Sequence, residues 1–377
     1  MRKPVFDHFV LSVLGVPLLT LLGTWLLAER IRPDLAAPVI TWSAVVVAVS
    51  SFVNIIAFSL KAAAETSPVA NLGDWSDQVV RADTRHVAWV SAVAVVWTAA
   101  ATAFVVHGYL RYRRALRTAW STVDGLSSAV FVVTDDTDDT EPTSGAGAAA
   151  GAGAGRIGAG RIGAGSDLGA ASGSDLGVEV VLVADPRVEA FALPGRPGRH
   201  GRPGRVVVTT GLRSAVDADM LEAIIAHERA HLTSHHHRLV WLARFAGLLQ
   251  PILWPMTRKV EYLIERAADE AAAQVVGDRA DVARAIAHAA LAAVDPRTSS
   301  SHDGPDAQAP TARGVYLAIS SPPQVVPRRM AAMTRPPRSR RWLLATPLLL
   351  AAGTVVWTGE CVYDLNELLT TASRDRR

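Results

Sequence analysis

The sequence of 377 residues is poor in cysteine and in charge: it has one cysteine, Cys361, and only 19% of its residues are Asp, Glu, Lys or Arg. A lone cysteine excludes an internal disulfide and any zinc site built from cysteine ligands. The formal net charge is only +3, and the basic residues occur in separate blocks. No DNA-reading helix and no interleaved aromatic residues accompany these blocks, so the sequence predicts no nucleic-acid partner.

Charge is missing altogether from four long apolar stretches, which explain why half of the residues are hydrophobic and the mean hydropathy is +0.22. The stretches are residues 9–28, 39–60, 87–106 and 342–358. A helix of roughly 20 apolar residues spans the ~30 Å hydrocarbon core of a bilayer, and such runs are rare in soluble folds. The fourth stretch is shorter but has a tryptophan near each end, as is typical of membrane interfaces. The sequence therefore predicts an integral membrane protein with about four transmembrane helices in a lipid bilayer; buried core helices are the alternative.

The basic blocks predict how the chain is oriented in the membrane. One block, residues 111–117, follows the third apolar stretch, and the other, residues 335–341, precedes the fourth. The positive-inside rule places both blocks in the cytoplasm, whereas the acidic loop at 62–86 is expected outside. The residues between the two blocks should therefore lie in the cytoplasm or at its membrane face.

Composition divides the chain into six predicted segments. Residues 134–177 begin with "TDDTDDTE" and continue as short Gly/Ala repeats with almost no large apolar side chains, so they are expected to be a disordered linker. Order returns at "VEVVLVADPRVEAFALPG", which has the β-branched character of strands, and helical periodicity follows. The segments are a three-helix transmembrane region at 1–110, a cytoplasmic connector at 111–133, the linker at 134–177, an α+β domain at 178–341, a transmembrane helix at 342–358 and a short tail at 359–377. Within the α+β domain, the apolar residues 239–256 are expected to enter the membrane without crossing it, with a fifth span as the alternative.

The stretch "AHERAHL" contains the pattern H-E-x-x-H, formed by His227, Glu228 and His231. Residues four apart lie on one face of a helix, so both imidazoles can reach one zinc ion. Glu228 lies one residue beyond the first histidine, where its carboxylate can take a proton from water. Catalytic zinc has three protein ligands and one open position, so a third ligand must come from elsewhere in the chain.

Two residues are candidates for the third ligand. His237 has the spacing of H-E-x-x-H-x-x-G-x-x-H, but Ser234 occupies the position where that pattern needs glycine for a sharp turn. If the helix instead continues, His235 and His237 are carried too far along its axis to share the metal. Glu265 in "IERAADEAA" is favoured, because Asp269 follows four residues later and could hold a ligand histidine through its other ring nitrogen. The three consecutive histidines are then interpreted as a polar cluster at the membrane surface.

The stretches "VEAFALPG", "GRVVVTTGL", "LEAIIAHERAHL" and "IERAADEAA" resemble the membrane-bound zinc metallopeptidases of the HtpX/CAAX-prenyl-protease type and their relatives, the BlaR/MecR-type antirepressor peptidases. The BlaR/MecR type fits best, and the resemblance covers residues 178–276. It implies a gluzincin-like zinc endopeptidase domain, with zinc ligands at His227, His231 and Glu265 and a catalytic glutamate at Glu228. Asp269 would support one ligand.

A weaker resemblance lies at "SSPPQVVPRRMAAM", where relatives often have His-Pro-Pro and a later arginine. Ser321 stands where that histidine would be, and Arg328 or Arg329 is a candidate for a role near the site.

The resemblance also suggests which substrates to consider. The chain is expected to cleave a protein at the cytoplasmic membrane face, for example a cytoplasmic repressor; quality control of membrane proteins and a non-catalytic zinc-binding scaffold are the alternatives. A structural zinc site has no need of Glu228, which argues against the scaffold. The strand formed by Val206, Val207, Val208 and Thr209 could offer an edge to an extended peptide, or could equally lie inside the sheet.

Overall fold

The computed structural model describes residues 11–84, 88–131, 178–195, 202–294, 326–335 and 340–376. The predicted linker at 134–177 lies outside these residues. The described part is mostly helical with one small sheet, and its long apolar helices suit a membrane protein. This confirms the predicted α+β membrane architecture.

The helices of the described residues are numbered in chain order. They are α1 (Val16–Leu27), α2 (Pro33–Ala64), α3 (Ser67–Gly73), α4 (Asp77–Thr84), α5 (Ala88–Leu126), α6 (Thr210–Ala215), α7 (Ala218–Thr233), α8 (His236–Leu249), α9 (Trp254–Val276), α10 (Arg279–Val294), α11 (Val326–Met333) and α12 (Ala345–Arg376). A π-helical turn at Leu11–Gly15 precedes α1, and 3₁₀ turns occupy Ala28–Arg30, Pro251–Leu253 and Arg341–Leu344.

The sheet has four strands: β1 (Ser127–Phe131), β2 (Glu179–Val183), β3 (Ala190–Leu193) and β4 (Arg205–Thr209). Their order is β1-β2-β4-β3, with β2 and β4 parallel and the two outer pairs antiparallel. Strand β4 therefore has a partner on each side. This is a correction: Val206, Val207, Val208 and Thr209 do not form an open edge, because β3 folds back along β4 and takes up its second row of hydrogen bonds.

Two compact units can be distinguished by their internal contacts. Unit 1 comprises Met1–Ala115, His237–Ala267 and Pro336–Arg377, and unit 2 comprises Leu116–His236 and Ala268–Arg335. The helices α5 and α9 each run without a break from one unit into the other.

Four helical stretches of the described chain are long and apolar enough to cross a membrane. They are Leu11–Arg30, Pro33–Ala64, Ala92–Asp124 and Arg341–Asp375. Each contains or overlaps one of the four apolar stretches predicted from the sequence. Residues 239–256 form most of α8, the 3₁₀ turn at Pro251 and the start of α9, and α8 has only 14 residues. The residues after 358 continue the helix α12 as far as Arg376.

Buried polar side chains connect the helices of unit 1. Gln250 is 1% exposed, and its amide nitrogen donates to the backbone oxygen of Val13 and to Oγ of Ser51, both at 2.8 Å. The amide nitrogen of the buried Asn54 donates to Oγ1 of Thr358 at 3.3 Å. Hydrogen bonds of this kind hold helices together where apolar side chains gain nothing by leaving the lipid.

In unit 2 the sheet carries helices on both faces, because alternate residues of a strand point to opposite sides. On one face Val181 and Val207 pack against the end of α5, where Trp120 is fully buried and donates its indole N–H to the oxygen of Pro194 at 3.2 Å. The valines on the opposite face form a second cluster with residues of α7, such as Leu221.

Small side chains allow α7 to pack closely against its neighbours in unit 2. Ala223 and Ala226 of α7 share a buried cluster with Ala272 and Ala273 of α9. Val282 of α10 and Met333 of α11 complete this cluster. Close packing of α7 against the end of α9 brings the residues of the H-E-x-x-H pattern next to the acidic residues of α9.

Candidate metal centre

The helix α7 begins and ends at well-defined positions. At its start, Oδ1 of Asp217 accepts the N–H of Met220 at 2.8 Å, as an N-cap residue does. At its end, His235 adopts a φ of 53°, in the left-handed region that stops a right-handed helix. The helix therefore does not continue through the three histidines, and α8 starts afresh at His236. The positive φ lies at His235 and not at Ser234, where the sequence pattern would have required it.

The structure brings His227, His231 and Glu265 together. One ligand atom from each lies within 4.8 Å of the other two, and all three residues are buried. Nε2 of His227 and Nε2 of His231 are 3.1 Å apart. Two nitrogens bound to one tetrahedral zinc at ~2.0–2.1 Å would be separated by roughly 3.3–3.4 Å, so this spacing suits the metal. Two imidazoles and a carboxylate are also a donor set that zinc accepts in catalytic sites.

Asp269 holds the first of these histidines from behind. Its Oδ1 lies 3.0 Å from Nδ1 of His227, which leaves Nε2 of that ring directed at His231 and Glu265. Asp269 follows Glu265 by four residues on α9, and because α9 is continuous, helix geometry fixes their relative positions. The residues that the sequence pattern predicts to form the site are therefore close together in the structure.

A buried arginine pairs with Asp269. Nε and Nη2 of Arg329, on α11, donate to the two carboxylate oxygens of Asp269 at 3.0 and 2.6 Å. Asp269 is 0% exposed and Arg329 is 7% exposed. Burial by itself raises the pKa of Asp269, but the charge of Arg329 and the hydrogen bonds from His227 and Arg329 more than offset this effect, so that the pKa lies below its usual value. Asp269 is therefore held as an anion. Its neighbour Arg328 is exposed, and Ser321 lies outside the described residues.

The sequence prediction missed His236. This residue is 4% exposed, and its Nδ1 lies 3.1 Å from Nδ1 of His231. The interpretation of the three histidines as a polar surface cluster is therefore wrong for His236, although it fits the exposed His235. The reason is the turn at His235, which reverses the chain and directs the next ring back at α7. The sequence suggests either a helix that continues or a helix that breaks at Ser234. Neither case predicts the contact between His236 and His231.

Glu228 follows His227 on α7, and its side chain is partly exposed, unlike the three buried residues that cluster beside it. His237, the other candidate for the third ligand, is not in the group formed by His227, His231 and Glu265 among the described residues.

Comparison with known proteins gives one match. Residues 166–242 match the family described as Peptidase family M48. No curated protein and no solved structure matches the chain. The matched region contains His227, Glu228 and His231 and ends before Glu265. Because the match and the buried cluster coincide on α7, the resemblance seen in the sequence is confirmed: this part of the chain is similar to the metallopeptidases of family M48.

Proposed function

We propose that this protein is a membrane-anchored, zinc-dependent endopeptidase, with His227, His231 and Glu265 as the metal ligands and Glu228 as the catalytic residue. The observation that carries the proposal is the convergence of three ligand atoms within 4.8 Å of one another, with Oδ1 of Asp269 placed 3.0 Å from Nδ1 of His227. Ligand histidines of zinc enzymes almost always direct their second ring nitrogen at a carboxylate, a backbone carbonyl or water, which sets the tautomer and orientation of the ring.

Each protein residue has a distinct task in peptide hydrolysis. Zinc held by His227, His231 and Glu265 would lower the pKa of a water molecule and polarise the scissile carbonyl. Glu228 takes a proton from the attacking water and delivers it to the leaving amine, as a general base and then a general acid. Asp269 keeps the Nδ1 proton of His227 in place, so that Nε2 presents its lone pair. Arg329 keeps Asp269 ionised through two hydrogen bonds.

Strand β3 is the segment on which an extended substrate would lie. It pairs with β4 on one side and has no strand partner on its other side among the described residues. It also packs against α7, the helix that carries Glu228. A peptide added to a free strand edge gains main-chain hydrogen bonds regardless of its sequence, while pockets for alternate side chains select it. Ala190–Leu193 therefore replaces Val206–Thr209 as the proposed substrate strand.

The substrate is proposed to be a protein at the cytoplasmic face of the membrane, because the basic residues 111–117 and 335–341 favour that orientation. Cleavage of a cytoplasmic repressor, as in the BlaR/MecR-type peptidases, is the first candidate. Removal of damaged membrane proteins, as in the HtpX type, is the second.

The test is to measure zinc content and casein cleavage of the detergent-purified protein and its variants. Glu228→Gln should keep the metal and lose activity by roughly 10²- to 10⁴-fold, since it removes the proton-transfer group alone. Glu265→Ala should weaken metal binding and activity together, whereas the control His237→Ala should change neither. Zinc lost from His237→Ala but kept by Glu265→Ala would refute the ligand assignment.

A further inference from the structure

A long groove runs between the helices α2 and α5 on the surface of unit 1. Its volume is about 900 Å³, which is within the range of roughly 300–1,000 Å³ that is usual for small-ligand sites. Four residues near the end of α2, from Ile56 to Ala63, line one side, and eight residues of α5, from Val95 to Leu110, line the other. Both helices are long and apolar enough to be candidate membrane spans.

Apart from His107 at one end, the polar side chains that line the groove are hydroxyl groups engaged in hydrogen bonds within the described structure. Oγ of Ser59 on α2 and Oγ1 of Thr98 on α5 lie 3.0 Å apart and form a hydrogen bond between the two helices. The hydroxyl of Thr102 donates to the backbone oxygen of Thr98 at 2.8 Å. The other lining residues are alanines and larger apolar side chains, except His107 at one end. The walls therefore suit a hydrocarbon chain.

The end of the groove marked by His107 and Leu110 is followed by positive charge. Arg111 and Arg114 come four residues after His107 and Leu110, so helix periodicity places them on the same face of α5 as the groove. Both arginines are exposed, and α5 contains no acidic residue before Asp124. The apolar groove is thus followed by two guanidinium groups, which attract an anion.

We propose that this groove binds an anionic phospholipid, with an acyl chain along the groove and the phosphate at Arg111 and Arg114. The lining from Val95 to Leu110 extends about 22 Å along α5, which is enough for a chain that crosses one leaflet, about half of the ~30 Å hydrocarbon core. Basic sites between membrane helices bind anionic headgroups, and each arginine near the surface strengthens binding roughly fivefold. The proposal does not depend on peptidase activity.

The test uses the full-length protein in vesicles of equal parts phosphatidylcholine and phosphatidylglycerol, released in mild detergent and analysed by native mass spectrometry. The wild type should retain one phosphatidylglycerol per chain in preference to phosphatidylcholine. Ala103→Trp, which fills the groove, should lose the retained lipid of both kinds. Arg111→Gln with Arg114→Gln should still retain lipid, but the preference for phosphatidylglycerol should fall by roughly five- to thirtyfold.

Matched controls separate this site from general effects. Val96 is 68% exposed and lies outside the groove lining, so Val96→Trp should retain lipid like the wild type. Arg340→Gln with Arg341→Gln removes two exposed charges at another helix and should leave the preference unchanged. Ala99→Trp fills the same groove and decides the matter if Ala103→Trp fails to fold.

Three outcomes would overturn the proposal. They are equal retention of the two lipids by the wild type, unchanged retention in a folded groove-filling variant, and a dimer that a groove-filling variant dissociates. The last result would show that a helix of a second copy occupies the groove.

Discussion

Removal of the Arg329 guanidinium should destabilise unit 2 strongly and weaken metal binding as a secondary effect. Asp269 is 0% exposed, and Arg329 supplies two of the hydrogen bonds to its carboxylate, at 3.0 and 2.6 Å. Arg329→Met leaves a buried anion whose remaining partner in the site is His227 at 3.0 Å. Loss of one partner of a buried ion pair costs about 3–5 kcal/mol, so we expect a decrease of this size in the free energy of unfolding.

The double variant Arg329→Met with Asp269→Leu separates stability from function. It removes both charges and restores apolar packing, so most of the lost stability should return. Zinc affinity should nevertheless fall by roughly 10- to 100-fold, because His227 loses the carboxylate that orients its ring. The assays are denaturant unfolding in detergent and zinc competition with a chelating dye, and Arg328→Met is the exposed control. If Arg329→Met unfolds like Arg328→Met, or the double variant binds zinc as tightly as the wild type, this account of the pair is refuted.

Three further predictions concern other contacts. His236→Phe should lower zinc affinity by roughly 10- to 100-fold in the same competition assay, whereas His235→Phe should not, because only His236 contacts a proposed ligand ring. Gln250→Leu removes two interhelical hydrogen bonds of unit 1 and should reduce stability in detergent by roughly 0.6–1.7 kcal/mol per bond; an unchanged unfolding curve would contradict this. Gly211→Ala should cost about 1–3 kcal/mol, measured by thermal unfolding, because its new Cβ would lie 2.1 Å from the backbone oxygen of Pro186.

The features that the sequence predicted well are those encoded by local periodicity. The four apolar stretches reappear as long helices, and the four-residue spacing between His227 and His231 places both rings on one side of α7. The same spacing brings Glu265 and Asp269 to one face of α9. In each case the relevant neighbours are within about one helical turn, so backbone geometry alone determines their relation.

The features that the sequence did not reveal depend on distant parts of the chain. The interior position of β4 requires β3 to fold back beside it, and both strands have equally apolar patterns. The choice of Arg329 over Arg328 depends on which face α11 turns toward Asp269, sixty residues away in sequence. The contact of His236 depends on a single left-handed residue, His235, which is not a glycine and therefore carries no turn signal.

The far end of α12 affects the order in which the chain can fold. Ala372 is fully buried with Ala64 and Val80, and its backbone oxygen accepts the N–H of Ser76 at 3.0 Å. About 300 residues separate the two partners of this hydrogen bond, which at roughly 5–20 residues per second corresponds to roughly 15–60 s of synthesis. During that interval α4 has been synthesised, but Val80 on its apolar face lacks the contact with Ala372 of α12. This part of unit 1 is therefore among the last to close, and a ribosome that stalls before residue 372 leaves Val80 uncovered by α12.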